Sequence, residues 1–423
     1  MAYRKRIADD LLKIKLKSKG ATLIQGAKWC GKTTTAEQLA SSVIYMNKID
    51  TMEQNIALAN IKPSKILEGE TPRLIDEWQL APRLWDAIRF EVDHRGKVGQ
   101  FILTGSAVPA ETKDVNHTGT GRFNWLTMRP MSLYESGEST GDVSLKSLFD
   151  NPEDIDGTSN IDLDDLAFLT CRGGWPFAID MEKDIALLQA FDYYDGLVNS
   201  DINRADGVQK NLQRVKRLMR SLARNQGQQI TTREIAKDVM SDESVTASED
   251  TIASYINALK DIFAVEDMPA WNPNLRSKSA IRASDTRYFV DPSIATASLG
   301  LGPNDLINDL KTFGLIFETL CMRDLRVYAD SLDGEVYHFR DRYGLECDAV
   351  VHLRNGHYGL IEVKLGGDKL IDEACESLKK VENAIDTDKM YKPSFKMVLV
   401  GFGKYPYKRE DGIYVVPVGC LKN

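Results

Sequence analysis

The stretch that most limits this chain is "ATLIQGAKWCGKTTTAEQLA", residues 21–40. A short apolar strand, 21–25, runs into G-x-x-x-x-G-K-[ST] and then into a helix from about Lys32, the context this pattern needs. Gly26 and Gly31 let the backbone curl so that its N–H groups face an anion. Ala27, Lys28, Trp29 and Cys30 lie between them and extend the cradle. The helix aims its positive end at the same anion. Lys32 is placed for β- and γ-phosphates and Thr33 for Mg2+, with Thr34 beside it. The segment predicts an ATP site.

The following residues continue a strand–helix alternation, which predicts an α/β fold with a mostly parallel, doubly wound sheet. "SSVIYMN" reads as a strand and 51–69 as a polar helical stretch. "RLIDEW" is an apolar strand ending in Asp76-Glu77. Asp76 is expected to hold Mg2+ through water and Glu77 to act as general base; the alternative is a surface acidic pair. "PRLWDAIRFEVDHRG" is a helix with Pro82 in its first turn. "GQFILTGSA" ends in Thr104, Gly105 and Ser106, at the strand end where such sheets bind ligands. Thr104 is expected to sense the γ-phosphate or orient water. "HTGTGRFNWLTMRPMSLYE" presents Arg122, either as a finger in cis or in trans or as a surface arginine. The Gly-, Ser- and Asp-rich segment after Glu135 reads as a connecting loop with a short helix at most.

At 423 residues the chain exceeds one ordinary core. The predicted division is 1–140, 141–275 and 276–423. A net charge of -8 gives no overall field toward nucleic acid, so DNA binding needs a local surface. No two of the six cysteines stand at C-x-x-C spacing, which argues against a zinc ribbon. No signal peptide is visible, and no run reaches the ~20 apolar residues of a membrane span. No membrane partner is expected, and a reducing, cytoplasmic setting is.

Residues 164–224 carry amphipathic helical patterns broken at "CRGGWP". "QQITTREIAKDVMSDESVTASEDTIASYINALKDIFAVEDM" reads as helix-turn-helix material followed by a strand. Thr231 or Thr232 caps its first helix and Ser248 its second. The second helix carries Glu249, Asp250 and Asp261, which would repel phosphate. The segment is therefore a structural winged helix or a DNA reader. Arg276, Lys278, Arg282 and Arg287 nearby could contact phosphate or lie in a solvated loop.

The last third carries a second chemical signature. Residues 311–329 form a helix with Glu318 on or near its apolar face. "ECDAVVHL" and "YGLIEVKL" alternate as strands, joined by "RNGH", where Asn355-Gly356 suits a type I′ turn. Period-two alternation puts Glu362 and Lys364 on one face, and cross-strand pairing brings Asp348 close. Asp348 and Glu362 can coordinate Mg2+ or Mn2+, with Glu318 as a further carboxylate. Lys364 can stabilise an attacking hydroxide or a pentavalent phosphate. This is the constellation of the PD-(D/E)xK nuclease fold, which is also retained without cleavage. A helix and two strands in 372–423 complete it.

In order, "GAKWCGKTT", "LIDEWQLAP", "ILTGSA", "GRFNWLTMRPMSLYE", "GGWPFAI", "RYFVDPSIA", "FGLIFETL" and "ECDAV…IEVK" resemble the prokaryotic AAA-type ATPases with a C-terminal domain of unknown function and a restriction-endonuclease-like fold. The resemblance spans nearly the whole chain. It implies an AAA-like core with the phosphate roles above, a helical winged-helix segment and a nuclease-like domain. The family commonly has Arg-Gln in the phosphate loop; here the equivalent positions read Lys28-Trp29-Cys30, and Cys30 keeps its backbone donor. Two functions are expected from it. One is an ATPase acting on DNA; the other is a nucleotide-driven switch that forms a homo-oligomer or binds a protein partner.

Overall fold

The computed structural model describes residues 2–105, 119–151, 155–205, 207–239, 248–273 and 284–423. It divides into two units. One holds 1–130, 200–209 and 257–263; the other holds 131–199, 210–256 and 264–423.

The first unit is built on β1 (Ala21–Gly26), β2 (Ser42–Tyr45), β3 (Arg73–Asp76), β4 (Phe101–Gly105) and β5 (Phe123–Met128). The strand order is β2-β3-β4-β1-β5, and every neighbouring pair is parallel. Such strands are buried on both faces, which is why they read as apolar runs. Successive side chains divide between two cores. Leu23, Ile75 and Leu103 pack with Trp78, Trp85 and Ile88. Ile24, Leu74 and Ile102 pack with Leu12 and Leu16 of the helix Ile7–Ser18. Trp85 stacks on Phe123 with ring centroids 3.9 Å apart. The strands β2 to β4 lie on one side of β1 and β5 on the other, so a crevice opens at the C-terminal end of β1.

The second unit contains β6 (Val143–Ser144), β7 (Val265–Met268), β8 (Thr286–Phe289), β9 (Gly334–Arg340), β10 (Glu346–Leu353), β11 (Tyr358–Lys364), β12 (Phe395–Val400), β13 (Tyr407–Lys408), β14 (Tyr414–Pro417) and β15 (Leu421–Lys422). Its main sheet runs β13-β14-β12-β11-β10-β9. The strands β9, β10 and β11 form an antiparallel meander, whereas β11, β12 and β14 are parallel. The helix Asp368–Ala384 links β11 to β12 and sets Leu378 and Val381 in one core with Val350, Leu360 and Val398. The 22-residue helix Leu310–Ser331 packs on β9, β10 and β11.

The helices Leu212–Arg224, Thr232–Val239 and Glu249–Asp261 precede an antiparallel pair, β7 and β8. Thr231, not Thr232, caps the second of them. Its hydroxyl accepts the Glu234 N–H at 3.2 Å, and the Glu234 carboxylate accepts the Thr231 N–H at 2.9 Å, a reciprocal cap. Ser248 accepts the Thr251 N–H at 3.2 Å.

Two local expectations change. The turn after β10 is not type I′, which needs positive φ at both central residues. Asn355 is not left-handed; Gly356 is, with φ of 90°. The Leu353 N–H donates to His357 O at 2.8 Å, so three residues, not two, close the hairpin around a left-handed glycine. The segment after Glu135 is also more than a connector. Val143–Ser144 pairs in parallel with Leu421–Lys422, and Ser139 Oγ donates to Leu421 O at 2.7 Å. A distant strand end supplies the partner, which local composition cannot reveal.

Candidate functional site

The phosphate loop folds as its glycines require. Gly26 has φ of 146°, and a Cβ there would lie 2.0 Å from Met128 O on β5. Only glycine lets the loop leave β1 so close to that carbonyl. Lys32 is buried and curls back, donating to Gly26 O at 2.9 Å and Ala27 O at 2.8 Å. Thr33 Oγ1 donates to Asp76 Oδ1 at 2.6 Å, and Thr104 Oγ1 donates to the same oxygen at 2.6 Å. Asp76 thus joins the ends of β3 and β4 to the loop helix Lys32–Glu37. Lys28 forms an ion pair with Asp201. Ala27 and Cys30 are buried, whereas Trp29 and Thr34 are exposed.

Two residues other than glycine adopt the left-handed region here, Trp29 with φ of 64° and Glu77 with φ of 55°. Each such backbone costs about 1–3 kcal/mol, and outliers of this kind gather at working sites. Burial raises the Glu77 carboxyl above its ordinary range; the neighbouring Asp76 charge adds to this, and a hydrogen bond from Gln79 opposes it.

The loop cradle and the Thr33–Asp76 donor pair fit a nucleotide phosphate with Mg2+. Gly26 to Thr34 would surround the phosphates, and Thr33 and Asp76 would hold the metal ion. The bound ion would neutralise charge on the phosphate oxygens.

Arg122 is not brought to this site. Its carbonyl accepts the N–H of Ala21, the first residue of β1, whereas the loop follows the last. The two ends are roughly 17 Å apart along the strand. Its guanidinium pairs with Asp93 at 2.8 Å. Strand direction excludes a finger role in cis, and no local pattern carried that information. Ser106, Arg276, Lys278 and Arg282 lie outside the described residues. Arg287 pairs with Asp267 across β7 and β8 at 2.8 Å.

Two residues at the loop escaped the sequence reading. The buried Arg6 donates to Cys30 O at 2.7 Å and to Arg129 O at 2.9 Å, so it ties the loop to the end of β5. Gln79 donates to the Glu77 carboxylate. The "DEWQ" spacing was visible, but the side-chain direction was not.

In the second unit, Asp348, Glu362 and Lys364 come together. Lys364 Nζ lies 3.1 Å from Asp348 Oδ2 and 2.7 Å from Glu362 Oε2. Asp348 Oδ2 also accepts the Val363 N–H at 2.8 Å, and Ser377 Oγ donates to Glu362 Oε1 at 3.1 Å. Glu318 lies behind them and accepts a 2.6 Å hydrogen bond from Tyr288. Burial, then the Asp348 charge, pushes both Glu318 and Glu362 up to about 8. Burial alone would lower Lys364; the Asp348 and Glu362 charges outweigh it and keep the ammonium protonated. Among the described residues, no three His, Cys, Asp or Glu side chains group so as to hold a metal ion. Asp348 and Glu362, between which Lys364 lies, are the two carboxylates that would hold a metal ion here. Two carboxylates suffice for Mg2+ when water and phosphate oxygens complete the shell.

Residues 18–137 match a family described as AAA domain. Residues 163–305 and 313–421 match two domains of unknown function, DUF8612 and DUF4143. Uncharacterized proteins of Mycobacterium tuberculosis and Mycobacterium bovis are each 23% identical over 383 residues, covering 89% of this chain and 77% of theirs. A solved structure, a Walker-type ATPase of Pyrococcus abyssi, is similar at 14% identity with a TM-score of 0.44, over 70% of this chain and 96% of that one. Among the described residues no helix is long and apolar enough to cross a membrane. The loop geometry and the AAA-domain match over residues 18–137 together support a P-loop ATPase in this part of the chain.

Proposed function

We propose that this P-loop ATPase acts on DNA and carries a metal-dependent phosphodiester site in its C-terminal domain. The observation that carries the second half is the Lys364 ammonium held between Asp348 and Glu362. The proposed regions are 1–140 for the ATPase, 141–275 for a helical and winged-helix segment, and 276–423 for the nuclease-like domain. Three helices followed by the β7–β8 pair support the winged-helix reading. Six free, buried cysteines fit a reducing cytoplasm.

At the first site, Lys32 contacts the β- and γ-phosphates, Thr33 and Asp76 hold Mg2+, Thr104 orients Asp76, and Glu77 takes the proton of the attacking water. At the second, Asp348 and Glu362 hold Mg2+ or Mn2+, with Glu318 behind them. Lys364 moves from the two carboxylates onto the phosphate as a phosphodiester enters, and there it offsets developing charge.

The test is ATP hydrolysis by wild type and Lys32→Ala, with and without duplex and single-stranded DNA, beside a direct DNA-binding measurement. DNA-stimulated hydrolysis that vanishes in Lys32→Ala supports the proposal. A second reading, a nucleotide-driven switch with the C-terminal domain as a binding module, is favoured by Glu249 and Asp250 in the first turn of Glu249–Asp261. It gains if no DNA form binds and ATP changes the oligomeric state.

A further inference from the structure

We infer that Gln79 is a positioning residue for ATP hydrolysis, clamping Glu77 with its amide nitrogen and orienting the attacking water with its amide oxygen. The inference rests on the reading of Glu77 as general base.

Glu77 follows β3 in a left-handed conformation and caps a single 3-10 turn, Trp78–Leu80. That turn folds Gln79 back so that Nε2 donates to Glu77 Oε2. An ionised carboxylate only accepts hydrogen bonds, so the amide orientation is fixed by chemistry: nitrogen toward Glu77, oxygen away. The oxygen is buried and has no hydrogen-bond partner among the described residues. A buried unpaired acceptor is costly, and a bound water is the usual remedy.

The place of that oxygen is informative. A Cβ on Gly105 would lie 2.8 Å from Gln79 Oε1 and 3.2 Å from Trp78 Nε1. Gly105 ends β4, next to Thr104, which donates to Asp76. The acceptor therefore lies at the C-terminal edge of the sheet, where β1 passes into the phosphate loop. Gly105 leaves room for it that no other residue would.

In the step this implies, a water donates one O–H to Gln79 Oε1 and its other O–H to Glu77. Its oxygen bonds to the γ-phosphorus as the β–γ bridging bond breaks and that electron pair leaves on ADP. The transferred proton stays on Glu77 and is later released to solvent. The amide supplies direction, the carboxylate supplies basicity.

The experiment measures kcat and KM for ATP, and affinity for a fluorescent ATP analogue, in Gln79→Ala, Gln79→Glu, Gly105→Ala and Glu77→Gln. Gln79→Glu keeps the size but cannot donate to Glu77 once ionised. The two Gln79 variants should lose about 10- to 100-fold in kcat, with KM and nucleotide affinity within about twofold of wild type. Gly105→Ala, which displaces the amide without removing it, should show the same split. Wild-type kcat in both Gln79 variants overturns the inference. So does a parallel loss of affinity and kcat, which marks a packing role. Retained turnover in Glu77→Gln would instead overturn the base assignment on which the inference rests.

Discussion

Thr33 Oγ1 donates to Asp76 Oδ1 at 2.6 Å and so joins the first turn after the phosphate loop to the end of β3, two strands away from β1. In the proposed Mg2+-nucleotide complex Thr33 would ligate the ion, and Asp76, held by this hydrogen bond, would bind it through water. Thr33→Ala and Asp76→Ala should each lower kcat for ATP at least about a hundredfold, roughly 2.7 kcal/mol of barrier. Steady-state phosphate release checks this, and turnover within tenfold of wild type in both variants would sink the assignment.

Arg6 places two donors on the carbonyls of Cys30 and Arg129. Arg6→Ala leaves two acceptors unpaired beside the loop, at about 1–3 kcal/mol for such a group. Thermal unfolding should occur several degrees lower, and ATP should recover less of the stability than it does in wild type. An unchanged midpoint with and without ATP would show that the bracing is idle.

Arg122 stands at the far end of β5 from the loop and pairs with Asp93. Arg122→Ala should leave kcat within about twofold, since Arg122 lies away from the loop and an exposed ion pair of this kind contributes little. A hundredfold loss would mean that Arg122 reaches the nucleotide of another subunit.

Asp324 is fully buried beside Arg323 and accepts the Leu133 N–H at 3.0 Å. Burial pushes its carboxyl up to about 6, against the pull of Arg323. The folded value lies above that of an unfolded aspartate, ~3.9. Its contribution to stability is therefore fully present below the unfolded value and is lost as pH rises through about 6. Stability of wild type relative to Asp324→Asn should fall by roughly 1–3 kcal/mol between about pH 4 and pH 7. Denaturant midpoints at a series of pH values check the sign; a difference that grows with pH contradicts it.

The phosphate loop was legible because its chemistry is local: strand, glycines, lysine and threonine adjoin in sequence. Asp348, Glu362 and Lys364 were legible for a different reason, since alternation along β11 and a short hairpin fix which side chains share a face. Arg122 was left open between a finger and a surface arginine because its distance from the loop depends on the direction of β5 in the sheet, which no window around it encodes. Asn355-Gly356 suggested the wrong turn because loop length, set by where Leu353 and His357 pair, outranks the dipeptide. The pairing of Val143–Ser144 with Leu421–Lys422 joins residues far apart in the chain. Arg6 and Gln79 depend on side-chain direction, which composition does not carry.

The most direct measurement is nicking of supercoiled plasmid in Mn2+ or Mg2+, with and without ATP, by wild type, Asp348→Ala and Lys32→Ala. The account predicts metal-dependent nicking by wild type that falls at least about a hundredfold in Asp348→Ala, and that depends on ATP through Lys32. Nicking that persists in Asp348→Ala, or none by wild type in either metal, would contradict it.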